Sequence, residues 1–195
     1  MSRLLALTIF FTAAAAGPFI IPTERRMGTY DRLLAAPMSL LTLLLGKISV
    51  GAFFAIVVAS VAAVFGILFL NASVAQPALM VLGIILGAFT FSTMGLIFGS
   101  IPTHNPGDVQ MPSTLIRWVL LFVSSVFIPL SEMSPIARGF SYISPLTYAQ
   151  DLMNHAVLGM GELNLWLDLS ILFLSGILFL LPSIKLHKRG RVLGY

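Results

Sequence analysis

The chain has 195 residues, of which 58% are hydrophobic and only 9% charged, with a net charge of +4 and a mean hydropathy of +1.00. An ordinary soluble domain is about one quarter charged, and a 21.0 kDa globule cannot bury this much apolar surface, so lipid must be part of the solvent. The lack of cysteine excludes disulfides, thiolate metal sites and cysteine nucleophiles, and in a membrane chain the basic excess marks cytoplasmic loops rather than a nucleic-acid partner.

The expected fold is all-α, a single polytopic domain over residues 1–195 with about five membrane-spanning helices. The first apolar run, 4–22, follows Arg3 and contains Ala13-Ala14-Ala15-Ala16-Gly17. That pattern also fits a cleaved leader, but the run stays apolar through Ile21 and then meets a basic segment. Residues 23–37 predict a short surface helix with Thr23 as N-cap, Glu24 in the first turn and Pro37 as its stop. Met27, Tyr30, Leu33 and Leu34 would form its apolar stripe, leaving either an interfacial loop on anionic lipid or a docking surface for a cytosolic partner.

The second run, 48–70, ends at an uncharged turn over 71–77. The third, 78–101, places Gly83, Gly87, Gly95 and Gly99 on one helical face, a small-residue seam for packing inside the chain or between two copies. Asn105-Pro106-Gly107 predicts a turn. A fourth run, 115–130, leads into a long segment where Ser134-Pro135 and Ser144-Pro145 each pair a cap with proline at the first helical position. Two short helices are therefore expected, the second ended by Gly159 or Gly161. The last run, 165–183, precedes a basic tail.

Charge sets the orientation. With five alternating spans, every basic residue except Arg3 and Arg138 falls on one face, which the positive-inside rule makes cytoplasmic, and the C-terminus lies there too. The opposite face holds Glu132, Asp151, Glu162 and Asp168. This arrangement puts Met1 outside, from which we expect a further span upstream of the sequence.

Glu24-Arg25-Arg26-Met27-Gly28-Thr29-Tyr30-Asp31-Arg32-Leu33-Leu34-Ala35-Ala36-Pro37-Met38-Ser39, followed by Gly46-Lys47, resembles the E-x-x-x-G-T-x-x-x-L-L-x-x-P-x-S segment of the ABC-2 transporter permeases. A second block, from Phe127-Ile128-Pro129-Leu130-Ser131 through Ser134-Pro135 to Tyr142-Ile143-Ser144-Pro145-Leu146-Thr147-Tyr148, is similar to the family's region before its last span. The resemblance implies a cytoplasmic coupling helix that docks on a separate ABC ATPase subunit through Glu24, Arg25, Gly28, Thr29, Arg32, Leu33 and Pro37. It also implies two re-entrant helices over 131–160, forming an extracellular gate around Pro129, Ser131, Pro135, Ser144, Pro145 and Tyr148, and assembly with a second permease copy. ATP and magnesium would be bound by the partner, and no cofactor or metal by this chain. The expected activity is export of an amphipathic drug, lipid or lipid-linked molecule across the plasma membrane, along a path with hydroxyls such as Thr90, Ser92, Thr93, Ser124 and Ser125.

The residues themselves offer little catalysis. Gly46-Lys47 has Leu41 where a P-loop needs its first glycine, so no Walker A motif is present, and no paired intramembrane carboxylate is legible. Tyr148, Asp151 and His155 share one helical face and leave open an intramembrane enzyme or a non-transporting assembly factor.

Overall fold

The computed structural model describes residues 1–37 and 39–192. Among these, the helices in chain order are α1 Ser2–Arg26, α2 Thr29–Ala35, α3 Leu40–Phe69, α4 Pro77–Gly99, α5 Pro106–Val123, α6 Pro135–Ser141, α7 Pro145–Leu158 and α8 Leu165–Val192, with a single 3-10 turn at Leu130–Glu132 and no strand. Four of them, α1, α3, α4 and α8, are long and apolar enough to cross a membrane. The chain is thus an all-helical, polytopic membrane protein by length and composition.

Packing inverts the pattern of a soluble bundle. On α3 the buried face is Gly51, Ala55, Ala59, Ala63 and Gly66, while Phe53, Phe54, Val57, Val61 and Phe65 point outward. Lipid is as apolar as these side chains, so burying them gains little, whereas small residues let backbones approach and collect dispersion contacts.

The closest approach joins the C-terminal half of α1 to the last turns of α4. A Cβ on Gly17 would lie 2.5 Å from the Gly95 carbonyl carbon, one on Gly95 would lie 2.5 Å from the Ala14 carbonyl oxygen, and one on Gly99 would strike the Gly17 carbonyl. Pro18 contributes to this contact, because its missing N–H leaves the Ala14 carbonyl without its helical donor. Gly83 instead faces Leu152 and Met153 of α7, and Gly87 faces Ile9 of α1. The four glycines of α4 therefore meet two different helices of the same chain.

Several boundaries differ from expectation. Thr23 caps no helix: it lies inside α1, its hydroxyl donating to the Phe19 carbonyl at 2.6 Å, and the break comes at Gly28. A threonine whose hydroxyl can bond the i−4 carbonyl gives no reason for a helix to start there. Ser39 is the cap that matters, accepting from the Thr42 amide at 3.1 Å, so α3 begins eight residues before 48. Lys47 looked like a boundary but is paired with Glu24 and sits within the helix.

The run expected at 115–130 is shifted. Asn105, expected in a turn, accepts from the Gly107 amide and Pro106 takes the first helical position, so α5 runs Pro106–Val123 and stops at Ser124. Arg117, counted among the basic residues of the cytoplasmic face, lies buried in α5 and donates to the Ser113 carbonyl at 3.3 Å, Thr114 Oγ1 at 2.9 Å and the Phe11 carbonyl of α1 at 3.5 Å. At 18 residues with Asp108 and Arg117 inside it, α5 is not among the four helices that qualify as spans by length and composition, yet it carries the chain from the α4 end of the bundle to the opposite end, where its Leu120 meets Ser144. The last helix overruns residue 183, carrying Pro182 within it; the side chains of Arg189 and Arg191 and residues 193–195 lie outside the described residues.

Replacing Gly95 or Gly99 by valine should force α1 and α4 apart and lower the unfolding free energy by about 2–3 kcal/mol, the usual range for overpacking. Gly46→Ala and Gly139→Ala are expected to be neutral or to stabilise by about 0.5–1 kcal/mol, since an added methyl there meets nothing within 4 Å. Reversible unfolding in mixed detergent and SDS micelles, followed by circular dichroism, measures both pairs.

Candidate functional site

At one end of the bundle the chain turns between α1 and α2 through a single glycine. Gly28 has φ 68, its amide donates to the Arg25 carbonyl at 3.1 Å, and the Thr29 hydroxyl donates to the Glu24 carbonyl at 3.2 Å. Residues with a Cβ avoid this left-handed conformation, so the elbow needs glycine or asparagine.

The elbow is tied to three other helices. Lys47 of α3 donates to the Glu24 carboxylate, and Arg25 Nη1 donates to the Ile101 carbonyl just past α4 at 2.5 Å. The Arg25 guanidinium also lies over the Tyr30 ring, 5.0 Å from its centroid, and the other edge of that ring meets His187 of α8 at 5.7 Å. Beneath them Ile21, Leu43, Leu44, Ile48 and Leu96 close a small apolar core, with Leu33 packed against it.

The seven residues expected to couple to a partner thus divide by direction. Glu24 and Arg25 face inward and hold the elbow, while Leu33 is half-buried. Gly28, Thr29, Arg32 and Pro37 are exposed, together with Met27 at 71% exposure. Met27 lies in the turn rather than on a helical stripe, and the Leu34 side chain is outside the described residues. Sequence reasoning missed His187 and undervalued Lys47. Lys47 gave a signal as a lone basic residue in an apolar helical pattern, whereas His187 was hidden inside the basic tail between Lys185 and Lys188.

At the opposite end α6 and α7 begin at Pro135 and Pro145. Ser134 accepts from the Ala137 amide at 3.4 Å, and Gly159, at φ 76, closes α7 by donating its amide to His155. Helix α7 is buried along most of its length between α1, α4 and α8, whereas Ile136, Phe140 and Ile143 around α6 are exposed. Among the residues expected at a gate, Ser144, Pro145 and Tyr148 are buried, Pro129 is half-buried, and Ser131 and Pro135 are exposed. Ser144 Oγ donates to the Leu120 carbonyl of α5 at 3.3 Å, and the Ser131 amide donates to Glu162 at 2.7 Å. Arg138 fastens the same segment by donating to the carbonyls of Leu130 at 2.7 Å and Ser131 at 3.2 Å.

Two expectations about polar residues are corrected. Tyr148 does not join Asp151 and His155, because its hydroxyl donates to the Tyr142 carbonyl at 2.8 Å. Asp151 pairs instead with a residue outside its own helix: Asp168, in the first turn of α8 and so near a span end as expected, lies beside it, seventeen positions away and not legible as a spacing. Four of the five hydroxyls expected along a substrate path, Thr90, Ser92, Thr93 and Ser124, are bonded to carbonyls. Thr90 donates at 2.9 Å to Leu172 of α8 and Ser92 at 2.8 Å to Ile48 of α3, while Thr93 and Ser124 bond within their own segments. Thr90 and Ser92 thereby join helices, and all four satisfy their hydroxyls as buried polar groups in lipid must.

Residues 2–158 match the protein family described as "ABC-2 type transporter". The chain is also 24% identical over 161 residues to the "Inner membrane transport permease YadH" of Escherichia coli strain K12, and matches the same permease of Escherichia coli O157:H7 and of Shigella flexneri to the same extent. Each match covers 83% of this chain and 62% of the relative, so the chain spans less than two thirds of the length of the curated relatives.

The elbow makes a clean test of backbone conformation, because a Cβ on Gly28 meets nothing within 4 Å. Gly28→Asn is expected to fold with near wild-type stability, Gly28→Ala to cost about 1–2 kcal/mol and Gly28→Val more, all through strain at positive φ. The same micellar unfolding titration ranks the three.

Proposed function

The chain belongs to the ABC-2 type transporter family, and from that premise we propose that it is the membrane-spanning permease subunit of an ATP-driven exporter. A separate cytosolic ABC ATPase binds ATP and magnesium, and two permease copies, identical or similar, form the complex in a plasma membrane with the C-terminus of each inside. The observation that carries the coupling role is the elbow. Through Lys47, Ile101, Tyr30 and His187 it is joined to α3, α4 and α8, so a push on α2 reaches the ends of three spans at once.

The cargo is amphipathic, a drug, lipid or lipid-linked molecule. Supporting this, a groove of about 430 Å³ lies beside α6, where Phe122, Val123, Ile128 and Phe140 supply apolar walls and Glu132 a single charge. Substrate would pass from such grooves and from the seam between permease copies, since Thr90, Ser92, Thr93 and Ser124 are already bonded. Ser144, Pro145 and Tyr148 hold the outer end in place, and Pro129, Ser131 and Pro135 position the exposed part of that gate.

Docking and folding are separable by choosing residues that face outward. Met27→Asp and Arg32→Glu are expected to leave the chain inserted and stable while reducing substrate-stimulated ATP hydrolysis in the reconstituted complex by about tenfold or more, a normal size for allosteric coupling. Unchanged stimulation in both variants would remove the coupling assignment.

The orientation has its own test in the cysteine-free background. Cysteines placed at Ser73 and Met160 are expected to react with an impermeant thiol reagent in intact cells, and those at Gly107 and Lys188 only after permeabilisation. All four positions are exposed. Labelling at Gly107 in intact cells would overturn the inward placement of the α4–α5 connection.

A further inference from the structure

Asp151, His155 and Asp168 meet where α7, the 159–164 connection and the first turn of α8 come together, and one potential donor atom from each lies within 4.8 Å of the others. His155 Nε2 is 3.6 Å from Asp151 Oδ2, 3.9 Å from Asp168 Oδ2 and 3.0 Å from the Leu163 carbonyl oxygen. Ligands bound about 2.0–2.2 Å from a single ion stand roughly 3.0–3.6 Å from one another at tetrahedral and octahedral angles. The cluster is within a small side-chain adjustment of that spacing.

An independent observation comes from Asp168. Its side chain is fully buried, and neither carboxylate oxygen receives a hydrogen bond. A buried carboxylate with no donor must take up a proton or have a cation beside it. Asp151 is held differently: its two oxygens accept the amides of Glu162 and Leu163, each at 2.8 Å, which fixes the carboxylate's orientation as outer hydrogen bonds fix a metal ligand. Gly161 lies directly over the group, where a Cβ would strike the His155 ring and come 2.6 Å from Asp151 Oδ2. Glycine keeps that space open.

The geometry points to a divalent-cation site of the zinc class formed by Asp151, His155 and Asp168, with the Leu163 carbonyl in reach as a further ligand. One imidazole and two carboxylates suit a borderline ion such as Zn2+ better than Mg2+ or Ca2+, which favour all-oxygen shells. Two carboxylates also balance its charge, so no net charge is left beside the hydrocarbon. The ion would staple the start of α8 to α7, fixing the outer end of the bundle.

The test uses the full chain purified in detergent, stripped with EDTA and titrated with zinc chloride. Retained metal is measured by mass spectrometry after gel filtration, and thermal unfolding is followed in parallel. Wild type is expected to retain about one zinc per chain and to show a Tm that rises with zinc concentration. Asp168→Asn and His155→Gln are expected to weaken retention by at least tenfold, on the order of what metal-site substitutions cost. Asp168→Asn should fold without metal at least as well as wild type, since it removes the undonated buried charge. A folded wild type with no retained zinc and no Tm shift overturns the proposal, as does wild-type affinity in both variants. A zinc-independent stabilisation at low pH that Asp168→Asn abolishes also overturns it, by showing that the two carboxylates share a proton instead.

Discussion

The contact between the backbones of α1 and α4 is the constraint on which the rest of the molecule depends. In lipid no hydrophobic driving force gathers apolar helices, so they must be held by dispersion between closely fitted surfaces and by hydrogen bonds. Gly17, Gly95 and Gly99 remove the side chains that would separate the two axes, and Ala14 presents a carbonyl that Pro18 has left without its usual donor. Once this pair is fixed, α4 offers its flanks to two further helices through Thr90 and Ser92, and α1 offers Ile9 and Phe10 to the centre of the core.

Several buried polar groups act alike through the bundle. Thr90, Ser92, Arg117 and Ser144 each send a hydrogen atom to a backbone carbonyl of a neighbouring segment. Some acceptors are second lone pairs of carbonyls within helices, as at Leu172, Ile48 and Phe11, and others lie at helix ends, where the carbonyl lacks its intrahelical donor. Arg25 on Ile101 and Arg138 on Leu130 and Ser131 are instances at the two opposite ends.

Helix identity was legible in the sequence because apolar runs in lipid are long and uninterrupted, and the Ser-Pro pairs at 134–135 and 144–145 opened α6 and α7 at those residues. Helix ends were less legible: Thr23 was read as a cap although its hydroxyl bonds within α1, and Asn105 as a turn although it caps α5. Charged residues were read as loop markers, yet Lys47 enters α3 beside Glu24 and Arg117 enters α5 beside three oxygens. A partner across space cancels the penalty that the residue would incur alone, and no one-dimensional pattern records that partner. The same holds at the candidate sites. Gly28 and Thr29 stand out by local grammar, whereas the contributions of His187 to the elbow and Asp168 to Asp151 exist only after α8 has folded back along the bundle.

This division bears on how motion could pass through the proposed permease. At Gly17, Gly95 and Gly99 the α1–α4 interface is backbone on backbone, with no side chain between them to absorb a displacement, so the two helices move there as a stiff pair. Flexibility must lie elsewhere. Pro18 and Pro22 interrupt the hydrogen-bond ladder in the last turns of α1, and Gly28 follows within two turns, so bending is easiest between the elbow and the glycine contact. A thrust on α2 would therefore be resolved in two parts, a bend near Pro22 and a tilt of the α1–α4 pair. Because α7 packs on both of those helices, the tilt arrives at the opposite end as a displacement of α7. The elbow and the outer segment need no chain of switching side chains between them: a stiff pair of helices with a hinge at one end is sufficient.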